Sequence, residues 1–136
     1  MNDLAANVGL GNLVDFKKNL AIRRKIAKYY RKELADVSGL TLLDYKDDRE
    51  SAYWLFTILV EKREEFIRKL KEKGIPTSVV HLRIDRNLVF GGLTPELFGH
   101  EKFDQKQISV PIHSKLSDKQ VNLIVKNASD QHGRPY

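Results

Sequence analysis

The spacing of apolar residues changes period several times along the chain, and each change marks an element. Leu13, Phe16, Leu20, Ala27, Tyr30 and Leu34 recur at intervals of three, four or seven, tracing one face of an α-helix. Gly9 and Gly11 fall inside the same stretch, and each costs about 1 kcal/mol relative to Ala within a helix. The pattern therefore predicts a break between Val8 and Asn12, giving a short helix followed by a long one. Val37-Ser38-Gly39 ends the helix, and Leu40 to Leu43 reads as a short strand before the polar loop Asp44 to Ser51.

Ala52 to Val60 is aromatic and β-branched without alternation, the pattern of a central strand covered on both faces, which assigns Tyr53 and Trp54 to the core. From Glu61 to Lys73 the period is helical again: Phe66, Ile67 and Leu70 point inward, and Glu64/Arg68 and Glu65/Lys69 form outward i,i+4 pairs. Gly74 is the stop signal. Thr77 to Asp85 alternates, so a strand is expected with Val80, Leu82 and Ile84 on the core and His81, Arg83 and Asp85 on the other face.

Residues 86–106 read as irregular with a turn of helix around Glu96, and Gln107 to Ile112 as an edge strand because of Pro111. Ser117 with Gln120 makes a capping box, Leu116 can staple to Val121, and Val121, Ile124, Val125 and Ala128 form the inner face of a last helix. Residues 129–136 lack a period and read as a flexible tail. The expected fold is α+β, a small, mostly antiparallel sheet with helices packed on it.

Composition narrows the chemistry. A chain of 136 residues holds one domain. It has no cysteine, which excludes thiol catalysis, thiolate metal sites and disulfides, and fits a cytoplasmic protein. The longest apolar run, Ala52 to Val60, is far short of the roughly 20 residues that cross a bilayer, and the first residues lack the form of an export signal.

The net charge of +6 favours phosphorylated partners. Its densest run, Lys17, Lys18, Arg23, Arg24, Lys25, Lys28, Arg31 and Lys32, reads as a solvated helix face or as a track for phosphates. No nucleic-acid motif accompanies it. His81, His100, His113 and His132 have no metal-ligand spacing, and no phosphate-binding glycine loop or nucleophile elbow is present. What remains is His81, Arg83 and Asp85, followed by Arg86. An Arg fork beside a neutral His suits a phosphate or carboxylate; the same residues also suit an Arg83/Asp85 ion pair with a solvated His81.

The opening Met1-Asn2-Asp3-Leu4-Ala5-Ala6-Asn7-Val8-Gly9-Leu10 resembles the MNDxxAAxGL segment of the DegT/DnrJ/EryC1/StrS family, pyridoxal-phosphate (PLP) aminotransferases of nucleotide-linked keto-sugars. The order of Arg23-Arg24, Tyr29-Tyr30, Gly39-Leu40, Trp54, Lys73-Gly74-Ile75-Pro76-Thr77, Val80-His81, Ser109-Val110-Pro111 and Leu116 to Val121 agrees, so the likeness covers residues 1–128. His81 to Asn87 is similar to the VHxRND form of one branch, with Ile84 in place of its Asn; Gly11 and Asn12 also depart from the family's usual Ala and Gln.

The resemblance implies the small C-terminal domain of a fold type I aminotransferase, with residues 1–36 a helical link to a large domain. In the family that large domain carries the Schiff-base lysine, the acidic partner of the pyridine nitrogen and most of the phosphate contacts. No residue here matches a catalytic, cofactor-binding or metal position, so the chain alone is expected to bind no PLP and to lack transaminase chemistry. His81, Arg83, Asp85 and Arg86 are implied at the mouth of the sugar pocket. The implied partners are the large domain and a second subunit; the chain by itself should form a homo-oligomer. The alternative is a stand-alone, non-enzymatic basic module that binds sugar nucleotides or RNA phosphates. The sugar, the carbon aminated and the amino donor are not encoded here.

Overall fold

The first helix starts where a side chain can receive its free N–H groups. In the computed structural model, which describes residues 2–130, the Asn2 carboxamide accepts from the Ala5 N–H at 2.9 Å and opens α1, Asp3–Val14. α1 passes through Gly9 and Gly11 unbroken. The predicted break lies instead at Asp15, ahead of α2, Phe16–Glu33. The cap and the helix-forming Leu and Ala residues around the glycines outweigh their cost, and neither glycine has positive φ.

The predicted apolar face of α2 divides in two. Ala27, Tyr30 and Leu34 are buried with Ile26 and Val37, whereas Leu13 and Phe16 stand exposed. The buried part covers a three-stranded antiparallel sheet in the order β1 (Leu40–Leu42), β2 (Phe56–Val60), β3 (Gln107–Val110). Leu40 pairs with Val60, and Ile58 with Ile108, so β2 is central as expected. Its alternation is clear in the fold: Phe56, Ile58 and Val60 are buried, and Thr57 and Leu59 are half-covered. The Tyr30 hydroxyl donates to the Pro111 carbonyl at 3.0 Å, tying α2 to the end of β3.

β2 is shorter than the apolar run that announced it. The Tyr53 N–H donates to the Ser51 hydroxyl at 3.0 Å, and Tyr53 turns into the left-handed region at φ 47°, so residues 52–55 never join the ladder. Tyr53 packs between Tyr45 and Phe56, each ring 6.2 Å away. Trp54, assigned to the core from sequence, is 70% exposed.

α3, Arg63–Glu72, buries Phe66 and Leu70. Of its predicted pairs, Glu65–Lys69 forms at 2.7 Å; Arg68 reaches Glu72 instead, and Glu64 meets Arg63. At its end the Ile75 N–H donates to the Leu70 carbonyl and the Gly74 N–H to that of Lys71, both at 2.9 Å, with Gly74 at φ 71° and Ile75 buried. This is a Schellman motif with its apolar contact. Two helices complete the described fold: α4, Phe98–Lys106, where the pattern predicts irregular chain, and α5, Asp118–Asp130. The expected capping box opens α5, with Ser117 N–H to Gln120 Oε1 at 2.9 Å, and all four predicted inner residues are buried. α5 runs two residues past the expected boundary at 128; residues 131–136 of the expected tail lie outside the described residues.

The glycines separate by conformation. Gly74→Ala must hold an L-residue at positive φ and should lower unfolding stability by about 1 kcal/mol, whereas Gly9→Ala, with ordinary helical backbone and open space around the new Cβ, should leave it unchanged or raise it. Urea denaturation followed by circular dichroism measures both.

Candidate functional site

After Ile75 the chain touches the sheet once more, in a single antiparallel bridge between Ser78 and Ser109, and then leaves it. No ladder follows. The strand predicted for Thr77 to Asp85 is replaced by extended backbone ending in a 3-10 turn at Ile84–Arg86, with a second turn at Leu88–Phe90. Alternation of side chains persists, but its direction is the reverse of the expected one. Arg83 and Asp85 are buried, while Leu82 and Ile84 are 63% and 67% exposed. His81 lies outside with its carbonyl turned in, accepting from Gln107 Nε2 at 2.5 Å.

The reversal has an electrostatic cause. α4 and the start of β3 carry Glu101, Asp104 and Gln107 toward this segment, and Asp104 and Gln107 are buried. Buried polar groups require partners. The Arg83 guanidinium finds acceptors on three sides: Nε donates to Asp85 Oδ1 at 2.9 Å, Nη2 to Asp85 Oδ2 at 2.5 Å and to the Thr94 carbonyl at 3.2 Å, and Nη1 to Glu101. Asp85 also accepts from the Thr94 N–H at 3.0 Å, closing the loop between them. Arg86 donates to Asp104 Oδ2, and the Arg83 N–H faces Asp104 Oδ1 at 3.4 Å. Arg63 of α3 donates to the Asp104 carbonyl, which fixes α4 to the body of the domain. The facing guanidinium of Arg83, with the Thr94 N–H, holds the Asp85 carboxyl well below the usual carboxylate range.

Of the sequence-predicted residues, Arg83, Asp85 and Arg86 thus converge in one polar clasp, and His81 flanks it from outside. The sequence does not single out Glu101 and Asp104, because residues 86–106 read as irregular, nor Gln107, which falls at the start of a predicted edge strand. The concentration of acids from Glu96 to Asp104, opposite two arginines, was the available signal. Outside the clasp the same loop is apolar and open: Leu82, Ile84, Leu88, Val89, Phe90 and Phe98 are all more than 60% exposed.

The donor set does not fit PLP. A PLP site needs a free lysine and unopposed cations for the cofactor phosphate. Here both arginines face carboxylates, and Lys106, at the end of α4, is held by Glu61 at 2.7 Å.

An α+β unit with a bare apolar helix at one end and an apolar loop braced by buried ions presents two open apolar surfaces. The sequence model of the DegT/DnrJ/EryC1/StrS aminotransferase family matches residues 1–129, and the chain belongs to that family. The sugar aminotransferase CalS13 of Micromonospora echinospora superposes with a TM-score of 0.91 at 29% identity, over 96% of this chain and 35% of its own. UDP-2-acetamido-2-deoxy-3-oxo-D-glucuronate aminotransferase of Pseudomonas aeruginosa is 25% identical over 91% of this chain and 34% of its own. Spr1654 of Streptococcus pneumoniae, solved in a PLP form, gives a TM-score of 0.81 at 27% identity over 96% of this chain and 35% of its own. The chain therefore spans about a third of the length of the relatives it matches.

Because the Asp85 carboxyl is depressed in the fold, its contribution to stability is complete above the ordinary carboxylate value of about 3.9 and is lost as pH falls below it. Asp85→Asn should lower stability at neutral pH and flatten the loss on acidification; chemical denaturation at pH 7, 4 and 3 reads both.

Proposed function

We propose that this chain is the small-domain third of a PLP-dependent aminotransferase that acts on a nucleotide-linked keto-sugar, and that it has no transaminase activity alone. One observation carries the reading. Nearly the whole chain superposes on a third of a sugar aminotransferase, while its own first helix has no buried residue among those described. α1 buries no residue: Leu4, Val8, Leu10, Leu13 and Val14 are exposed and distributed around the helix, interrupted only by Asp3, Asn7 and Asn12. A helix apolar on all sides belongs in an interior. That interior is supplied by the PLP-binding large domain, with a second subunit beside it.

Bound PLP would supply the electron sink of the reaction from the large domain. This chain contributes shape: α1 anchors the domain, and the loop from His81 to Arg86 borders the substrate, with Arg83, Asp85 and Arg86 bracing it. Nucleotide-sugar specificity is carried over, as part of the proposal, from the Pseudomonas relative, a UDP-2-acetamido-2-deoxy-3-oxo-D-glucuronate aminotransferase. With no cysteine in the sequence, and no helix among the described residues long and apolar enough to cross a membrane, the chain suits a cytoplasmic enzyme.

The basic face of α2 favours the alternative of a free-standing phosphate-binding module. Lys17, Lys18, Lys25 and Lys28 are exposed there, and the helix holds no acid before Glu33.

Two measurements test the reading. Incubated with equimolar PLP and then borohydride, the purified chain should show no one lysine labelled in preference to the others by mass spectrometry, and a stoichiometric adduct at a single lysine would sink the proposal. Sedimentation across a concentration series should show self-association through the bare helix, weakened by Leu4→Glu with Val8→Glu; a strict monomer at high concentration contradicts it. RNA binding that disappears with α2 charge reversal, in a chain that stays monomeric, would favour the alternative.

A further inference from the structure

The candidate site contains two arginines and three carboxylates in direct contact, an excess of negative charge where an anion-binding pocket would need the opposite. The guanidinium of Arg83 is 6% exposed and spends its donors on Asp85, Glu101 and the Thr94 carbonyl. Arg86 is half in solvent, but its partner is not: the Asp104 side chain is 1% exposed, and Arg86 is the cation that faces it. If Arg86 swung out to a phosphate, it would leave a buried carboxylate without its counter-charge, a costly exchange. What the segment offers outward, apart from the side chain of Arg86 already bound to Asp104, is apolar at Leu82 and Ile84, with His81 beside them.

We infer that Asp104 is a positioning residue for the substrate-bordering segment 81–86, and that Arg83 and Arg86 act as its internal struts, so the segment meets the uncharged part of the substrate and not its phosphates. The inference rests on the reading that this segment borders the substrate, but its test does not use the sugar nucleotide. Asp104 works from α4, anchored through its carbonyl by Arg63, and holds both the main chain at Arg83 and the side chain at Arg86. Removing its charge should loosen the segment and free one cation.

The test is hydrogen exchange by mass spectrometry on the 136-residue chain, wild type and Asp104→Asn, with and without inorganic phosphate at constant ionic strength. Asp104→Asn should speed exchange in peptides covering 81–98 about tenfold or more and leave those from β2 and α5 unchanged. Phosphate should not alter exchange of 81–98 in the wild type, and should slow it in Asp104→Asn, where Arg86 has been released. Protection of 81–98 by phosphate in the wild type overturns the inference, as does unchanged exchange in a folded Asp104→Asn protein.

Should Asp104→Asn unfold the whole chain, Arg86→Gln replaces it, with the same local loosening expected and no response to phosphate. Failure of the aminotransferase reading would appear separately, as stoichiometric covalent PLP at a single lysine of the isolated chain.

Discussion

A guanidinium taken out of water must be surrounded by acceptors, and meeting that demand at Arg83 organises the chain between Ser78 and Gln107. Asp85 follows two residues later in a 3-10 turn, Thr94 returns a carbonyl and an N–H from the far side of the loop, and α4 brings Glu101 and Asp104 from above. Without these contacts the stretch between the Ser78 bridge and α4 would have little to define it, since it has no ladder and few buried apolar groups. The hydrophobic core built on β2 fixes the sheet, α2, α3 and α5. The loop from His81 to Phe98 is fixed by charge.

That division explains how much could be read from the sequence. Elements whose information is local and apolar were legible: the inner face of α5, its capping box, the central position of β2, the stop at Gly74. The register of alternation from Val80 to Asp85 was legible too, but not its direction. Apolar-in is the rule for a strand lying on its own core, whereas here the groups beneath the segment are Asp104 and Gln107, and they lie more than twenty residues away in sequence. Trp54 was misplaced for a related reason. Composition alone assigns an indole to the interior, and a turn made by one Ser51 hydroxyl sends it out.

α1 and the 82–98 loop share a character that is uncommon on monomeric domains. Both expose large apolar side chains in close succession, Leu4 to Phe16 in one and Leu82 to Phe98 in the other, although the chain is otherwise heavily charged. Such surfaces mark where protein meets protein. The proposal that the chain is one third of a sugar aminotransferase accounts for both at once, because the rest of such an enzyme would cover them.

The left-handed turn at Tyr53 also has a spectroscopic consequence. Trp54 is the only tryptophan in the sequence, and folding leaves its indole mostly in water. Its emission should therefore differ little between the folded and unfolded chain, while the tyrosine stack of Tyr45 and Tyr53 and the buried ring of Tyr30 report the core. The single indole is in effect a probe of what lands on the outside of this domain and is nearly blind to whether the inside is intact.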